Sequence, residues 1–307
     1  MQDGRPLREQ DEHNAAYSSL IAKTISGLQM TFELGYSTCA LKMMDPFEAL
    51  PMIKDVGYEA LEIALADDWP TAPHKFSAEK RGDLAWLIRD LGFSSPLIFG
   101  LIDVCAPAES QDAERKKTLA KFAMAAELHI DDSPILMTTT AGHSAPAWDI
   151  GREQIRDRFV ELADLAAEHN VVIAIEAHAG TDFETPEKAV WMMEQTQHPN
   201  LKLDLDVSHF HVEGSEVGHS VDLCAPHAAM VHVKDGEKVD GEVQYSLPGA
   251  GSIDLTAFIA SLKANNLEHL PVFAEVSVQQ SGAPGYDPRA TAEFTYAALN
   301  TARNAVA

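Results

Sequence analysis

Cysteine is scarce in this sequence, and the few cysteines present are not grouped. Cys39, Cys105 and Cys224 stand far apart and form no CxxC motif. This spacing favours neither a zinc knuckle nor a disulfide framework, so buried apolar thiols are the expectation. Long apolar runs are missing as well. The first thirty residues lack both the continuous apolar stretch of a secretory signal and the twenty or so residues of a membrane span, which predicts a cytoplasmic protein without a membrane partner.

Positive charge is also in short supply. The chain has 23 Lys and Arg against 47 Asp and Glu, a formal net charge of -24. Because phosphate backbones attract Lys and Arg, this balance argues against nucleic acid and anionic membrane as partners. A glycine-rich phosphate-binding motif is not found either. The turn at 248–251 comes late in the chain and precedes Asp254 and a helix, so it is predicted to be a loop.

What the sequence does contain is a regular alternation of short apolar segments and longer helical segments. A strand followed by a capped helix recurs along the chain, as at Asp45-Pro46-Phe47-Glu48, where an N-cap and a proline begin a helix that Gly57 ends. This pattern predicts parallel strands joined by helical crossovers. The predicted strands are MTFELGYS, YEALEIAL, SPLIFGLI, SPILMTTT, VVIAIEA, NLKLDLDV, AMVHVKD and PVFAEVS.

Eight such strands predict an α/β protein with the (β/α)8 TIM barrel fold. Long helical connectors and the lack of adjacent hairpin strands favour a closed barrel, and an open twisted sheet is the alternative. A chain of 307 residues with 46% hydrophobic content can enclose one such core. We therefore expect a single barrel domain over residues 29–307. Residues 1–28 form an N-terminal extension, which is predicted to be an amphipathic tail or an oligomer contact.

Four potential metal ligands stand where the last four apolar strands finish. They are Glu176 in IAIEAH, Asp206 in LDLDVSH, His232 in MVHVKD and Glu275 in VFAEVS. A barrel gathers the carboxyl ends of its strands at one mouth, so these side chains should converge. Three carboxylates in a dry pocket repel one another unless a cation lies among them. Three oxygen donors with one imidazole predict one divalent cation, with Mn²⁺ as the expected ion and Mg²⁺ or Co²⁺ as alternatives.

From about residue 31 to 300 the sequence resembles the sugar phosphate isomerase/epimerase superfamily, the xylose isomerase-like barrels. The segments that carry this resemblance are GYSTCA, DPFEALPMIKDVGYEALEIAL, IAIEAHAG, LDLDVSH, VHVKD, PGAGSIDL and FAEVS. The resemblance implies that Glu176 and Glu275 bind metal and exchange the substrate proton. It also implies that His209, in the family's Asp-x-x-His element with Asp206, touches a substrate oxygen, and that His232 binds the metal.

The sequence departs from the family pattern at two places. Ketose epimerases of this kind often have an arginine six residues after the strand-seven histidine, where this chain has Lys238 in a charged, glycine-containing loop. Apurinic endonucleases of the superfamily use three metals and need additional histidines after strands two and three, whereas strand three here ends in Phe99-Gly100-Leu101 without one. The first difference weakens the assignment to the epimerases, and the second argues against a nuclease.

Other polar residues at the predicted strand ends are candidates for substrate contacts. We expect His209 and His178 to position substrate hydroxyls, with Lys234 and Glu62 as further substrate-binding candidates. His143, in TTTAGHS after strand four, is a candidate catalytic acid or base, although a loop histidine is an equal alternative. Lys234 and Asp235 have a second interpretation as an ion pair at the rim of the barrel.

These observations predict a metal-dependent isomerase or epimerase of a keto sugar or related polyol. Glu176 and Glu275 would remove and return a proton through an enediolate that the metal stabilises. A lyase, dehydratase or 3-keto-glycoside (C-glycoside) deglycosidase on the same barrel is the first alternative, and a non-catalytic sugar-binding subunit is the second. The expected partner is a small sugar or polyol, and a homo-oligomer or a partner subunit stays open.

Overall fold

The strands form because short, nearly continuous apolar runs, such as Val171–Glu176 (VVIAIE), suit parallel strands that are covered on both faces. The computed structural model describes residues 32–142 and 144–307. Eight parallel strands close into a barrel in chain order, and the last of them pairs with the first. The barrel strands are β1 Leu34–Ser37, β2 Ala60–Ala64, β3 Leu97–Phe99, β4 Ile135–Thr139, β5 Val171–Glu176, β6 Leu201–Asp206, β7 Ala228–Val233 and β10 Val272–Ala274. The prediction of a (β/α)8 barrel is confirmed, and the open-sheet alternative is wrong.

Helices occupy the connections, and their ends follow the capping signals in the sequence. The Asp45 carboxylate accepts the N–H of Phe47, Pro46 is the first helical residue, and Gly57 ends this helix with φ +119°. Only glycine adopts such a φ at little cost, which explains the residue there. The helices of the described part are Pro46–Val56, Ala78–Asp90, Gln111–Leu128, Trp148–Ala167, Pro186–Thr196, Val207–Val212, Val217–Cys224, Leu255–Ala264, Val278–Ser281 and Pro288–Val306.

The buried side chains form one extensive apolar cluster that runs through the barrel and its helical layer. Leu34, Ile63 and Val171 on the strands and Phe159 and Leu299 on the helices are completely buried within it. Phe32–Val306 accordingly forms one compact unit. Charged residues are also buried, and many of them lie at the carboxyl ends of the strands. Burial of unpaired charge is costly, so these groups must be compensated within the site.

A β-hairpin that the sequence did not predict follows the seventh barrel strand. Its strands, β8 Asp235–Val239 and β9 Glu242–Ser246, pair antiparallel. Asp240 and Gly241, both with positive φ, connect them, as is typical of a two-residue hairpin turn. Lys238, which was expected in a loop, therefore lies in strand β8. The Asp-Gly pair was the available signal, but the flanking segments GEK and EVQ are too polar to indicate strands.

Two predictions fall on residues that lie outside the described part of the chain. They are the N-terminal extension over residues 1–28 and the assignment of His143 as a catalytic acid or base. Within the described residues, no helix combines the length and apolar character needed to cross a membrane.

Candidate metal centre and active site

The four predicted metal ligands lie at the carboxyl ends of neighbouring barrel strands. Glu176 ends β5, Asp206 ends β6, and Glu275 directly follows β10. His232 lies in β7, where it pairs in register with Asp206 on one side and with Phe273 on the other. All four side chains are buried or nearly so, with Glu275 the most accessible at 13% exposure. Barrel closure therefore brings together residues that are a hundred positions apart in the sequence.

Three of these residues form a tight group of carboxylates, here called the carboxylate triad: Glu176, Asp206 and Glu275. One oxygen from each lies within 4.8 Å of the others. The ammonium group of Lys234 lies among them. It donates to Oδ2 of Asp206 and to Oε1 of Glu275 (2.9 Å), and is 3.6 Å from Oε1 of Glu176. Lys234, predicted to contact substrate, is thus a buried counter-ion of the triad.

The triad suits a divalent cation in both donor type and charge. Carboxylate oxygens are the donors that hard divalent ions prefer. Three carboxylates outnumber the one ammonium among them, so a divalent cation would lower their mutual repulsion. A metal on these oxygens would, however, need the space that the Lys234 ammonium takes in this structure. The cluster could bind a metal once this side chain moves aside.

His232 belongs to a second buried group next to the triad. Its Nδ1 lies 2.9 Å from Oδ2 of Asp204 and 3.4 Å from Oε2 of Glu275, and its Nε2 lies 3.4 Å from Oε1 of Glu62. Burial lowers the pKa of His232, but Asp204 and Glu62 outweigh this and hold the pKa well above its usual value. These two carboxylates therefore favour the charged form of the ring. Glu176, Asp204 and His232 form a further set whose ligand atoms lie within 4.8 Å.

Glu62, a predicted substrate contact, belongs to the same group as His232 and is completely buried. It accepts a short hydrogen bond from Ser37, and burial raises its pKa to about 7. Asp204 was missed by the sequence reasoning, although the alternation LDLD puts it on the same strand face as Asp206. Its Oδ2 also accepts from Oγ1 of Thr138 at 2.8 Å.

The two histidines predicted to position substrate stand against the triad. The rings of His178 and His209 have centroids 3.9 Å apart, and Nε2 of His209 is 3.0 Å from Oε1 of Glu176. His209 is fully buried and His178 is half-buried. Burial lowers the pKa of His178 to about 4, and the neighbouring His209 contributes in the same direction. Tyr245, which sequence reasoning missed, reaches His209 from the hairpin with a hydroxyl-to-Nδ1 distance of 2.8 Å.

The pKa values of the three carboxyl groups in the triad are shifted in different directions. Burial raises the pKa of Glu176 and of Asp206, but His209 and Lys234 more than offset it and lower both values. For Glu275, burial dominates and the two neighbouring carboxylates add to it, so its pKa is raised. Carboxyl groups whose pKa values are shifted in opposite directions within one pocket are typical of sites that combine an acid with a base.

Fold and site together define a parallel (β/α)8 barrel with a buried acidic centre at the carboxyl-terminal mouth. The family model described as the xylose isomerase-like TIM barrel matches residues 50–297. The chain belongs to this family.

Two curated relatives and one solved structure illustrate the range of reactions in this group. The chain is 27% identical to 3-dehydroshikimate dehydratase of Bacillus anthracis over 133 residues, 43% of this chain and 48% of that protein. It is 30% identical to inosose isomerase of Bacillus subtilis (strain 168) over 124 residues, 37% of this chain and 45% of the relative. The chain thus spans about half the length of the curated relatives it matches. L-ribulose 3-epimerase superposes with a TM-score of 0.69 at 20% identity, covering 89% of this chain and 96% of the other.

Proposed function

We propose that this protein is a divalent-metal-dependent isomerase or epimerase that moves a proton on the carbon next to the carbonyl of a keto sugar or related polyol. The observation that carries the proposal is the carboxylate triad, in which Glu176 and Glu275 bring one oxygen each within 4.8 Å of Asp206. Two glutamates so close can flank one substrate carbon, so that one removes a proton and the other returns it. The relatives named isomerase and epimerase support this reaction class.

The proposed metal ligands are Glu176, Asp206, Glu275 and His232, and Mn²⁺ is the first candidate, with Mg²⁺ or Co²⁺ next. When bound, a divalent cation would stabilise the negative charge that develops on the substrate oxygens during proton removal. The chain's own residues supply the rest. His209 holds a ring nitrogen 3.0 Å from Glu176, and the half-buried His178 ring lies against His209, which supports the proposal that these two histidines bind substrate hydroxyls. Burial of the triad keeps bulk water from competing for the transferred proton.

A dehydratase or another lyase is the second candidate. The matching stretch to 3-dehydroshikimate dehydratase supports it. Such a reaction begins with the same proton removal, but the electron pair then expels a group from the adjacent carbon. Cleavage of a 3-keto glycoside would follow the same route with a sugar or aglycone as the leaving group. The isomerase and the lyase would therefore use the same base to remove the proton. They would differ in whether a group then leaves the substrate.

One experiment separates these candidates. Metal-loaded protein is incubated in D2O with a free ketose, an inosose, 3-dehydroshikimate and a 3-keto glycoside, and each mixture is followed by NMR. Deuterium appearing next to the carbonyl, together with a new stereoisomer or a shifted carbonyl, supports the isomerase. Loss of water or release of an aglycone supports the lyase. If no substrate exchanges deuterium while sugar binding is measurable by calorimetry, the catalytic proposal fails in favour of a sugar-binding protein.

A further inference from the structure

The position of Tyr245 is fixed first by the base of its hairpin. Strands β8 and β9 place Gly236 opposite Tyr245. The buried carboxylate of Asp235 accepts the N–H groups of Gly236 (2.9 Å) and Ser252 (3.0 Å), and so ties the start of the hairpin to the following loop. A carboxylate that accepts several backbone N–H groups is a rigid anchor, because each of these bonds is charge-assisted.

A second attachment holds the backbone of Tyr245 itself. The short helix Val278–Ser281 follows the last barrel strand and presents two glutamines to the hairpin. The N–H of Tyr245 donates to Oε1 of Gln279 at 2.9 Å, and Nε2 of Gln280 donates to the Tyr245 carbonyl at 2.7 Å. Both backbone polar groups of Tyr245 are therefore hydrogen-bonded. Its phenol ring extends from a backbone that is fixed at this position.

The hydrogen bonds around His209 define which ring nitrogen carries the proton. The backbone N–H of Ala179 donates to Nδ1 at 3.2 Å, and since a backbone N–H can only donate, Nδ1 must accept. The Tyr245 hydroxyl, 2.8 Å from the same nitrogen, can then only donate, and it shares the single lone pair of Nδ1 with the Ala179 N–H. The ring proton of neutral His209 consequently lies on Nε2, which is 3.0 Å from Oε1 of Glu176.

Contacts between the rings complete the arrangement. The His209 ring lies between those of His178 and Tyr245, with Tyr245 edge-on at 5.6 Å and 85°. The ammonium of Lys234 lies 5.6 Å from the centre of the Tyr245 ring. Removing only the hydroxyl would leave these ring contacts in place, so packing and hydrogen bonding can be tested separately.

We propose that Tyr245 is a positioning residue of the active site: its hydroxyl acts with the N–H of Ala179 on Nδ1 of His209, and together they keep the ring proton on Nε2, where it faces Glu176 and the substrate. A fixed tautomer matters because a neutral imidazole has one N–H, and only on Nε2 can it serve the catalytic glutamate. The tautomer itself is a property of the folded protein. The effect on turnover rests on the proposed function.

The first test is spectroscopic and needs no substrate. Protein labelled with 15N at histidine, held metal-free with a chelator, is examined by long-range 1H–15N correlation, and His209 is assigned from the resonance lost in His209→Gln. Wild type should show a protonated Nε2 and an unprotonated Nδ1. Tyr245→Phe should move the Nδ1 resonance of His209, whereas the control Tyr296→Phe, whose ring packs on Tyr58 (5.1 Å), should not. A proton on Nδ1 in wild type, or an unmoved Nδ1 resonance in Tyr245→Phe, overturns the inference.

The second test uses whichever substrate the deuterium experiment identifies. Tyr245→Phe should lower kcat by about tenfold, the cost of one hydrogen bond, while KM stays within about twofold. Tyr296→Phe should keep the wild-type kcat. An unchanged kcat in Tyr245→Phe overturns the positioning role. If wild type processes no substrate but the Nδ1 resonance still moves, the proposed function fails and the hydrogen bond from Tyr245 to Nδ1 of His209 stands.

Discussion

The ammonium nitrogen of Lys234 lies 2.9 Å from Oε1 of Glu275, and only 2% of the lysine side chain is exposed. The triad of Glu275, Glu176 and Asp206 raises the pKa of Lys234 well above its usual value, although burial acts the other way. The same three carboxylates are among the proposed ligands of a divalent cation. Lysine and metal therefore compete for one set of oxygens, and the energies involved are large because the charges are buried.

Replacing Lys234 by methionine should strengthen metal binding. Methionine keeps much of the side-chain volume but removes the charge that a metal must displace. At about 4 Å, two unit charges near a protein surface interact by roughly 4 kcal/mol, so a gain of tenfold or more in Mn²⁺ affinity is expected. Without metal, Lys234→Met should be several kcal/mol less stable than wild type, because three buried carboxylates lose their counter-ion. Calorimetric titration and thermal unfolding measure the two effects.

Lys238 provides the matched control for this substitution. It also belongs to the segment after β7, but its ammonium is an exposed partner of Glu213 at 2.6 Å. Exposed ion pairs of this kind contribute little, so Lys238→Met should leave Mn²⁺ affinity unchanged. Equal Mn²⁺ affinities for wild type and Lys234→Met would contradict the competition.

Metal binding should stabilise the folded protein, and it should do so through Asp206 rather than Asp204. A ligand at one hundred times its Kd adds about 2.7 kcal/mol to the free energy of unfolding. We expect Mn²⁺ to raise the Tm of wild type and a chelator to reverse the shift. Asp206→Asn should lose most of this shift and Asp204→Asn should keep it. If Asp204→Asn lost the shift and Asp206→Asn kept it, the metal site would instead be the group formed by Glu176, Asp204 and His232.

Glu176→Gln and Glu275→Gln should each abolish turnover by removing a proton acceptor or donor. General acid–base catalysis contributes on the order of 10² to 10⁴ in rate, so losses of this size are expected even in variants that retain metal. Initial rates and metal content are measured on the same samples. Glu242→Gln, exposed on the hairpin, is the matched control and should keep wild-type rates. A glutamine variant that retains both metal and activity would remove that glutamate from the mechanism.

The barrel could be predicted from the sequence because its signals are local. Each strand is a short apolar run and each helix carries its own cap, as at Asp45 and Gly57. The hairpin was missed for the same reason. Its strands are polar, and Asp235, Gln279 and Gln280 hold them in place by contacts from distant parts of the chain, which no local pattern records.

The sequence indicates where the strand-end carboxylates lie better than it indicates their charged partners. Glu176, Asp206 and Glu275 converge because barrel closure dictates where strand ends meet. The pairing of each buried carboxylate with a positive group depends on side-chain positions within a few ångströms. The sequence therefore does not reveal that Lys234 is a counter-ion of the triad, and it indicates no contact of Asp204 with His232 or of Tyr245 with His209.

The loop that closes the hairpin base offers a test of the anchor at Asp235. A Cβ added at Gly251 would overlap Oδ1 of Asp235 and come within 2.7 Å of Oγ of Ser246. Because the carboxylate also accepts N–H groups from residues 251–253, it cannot withdraw without losing these bonds. Gly251→Ala should therefore cost about 1 to 3 kcal/mol in the free energy of unfolding, the usual penalty for overpacking.

Gly82 is a position where an added Cβ would cause no overlap, in contrast to Gly251. It lies exposed in the helix Ala78–Asp90, and a Cβ there would meet nothing within 4 Å. Gly82→Ala should raise the free energy of unfolding by about 0.5 to 1 kcal/mol, because alanine loses less backbone entropy in a helix. Urea unfolding of both variants measures the difference. If Gly251→Ala were as stable as wild type, Asp235 would not anchor the loop, and the support that it gives to the position of Tyr245 would have to come from Gln279 and Gln280 alone.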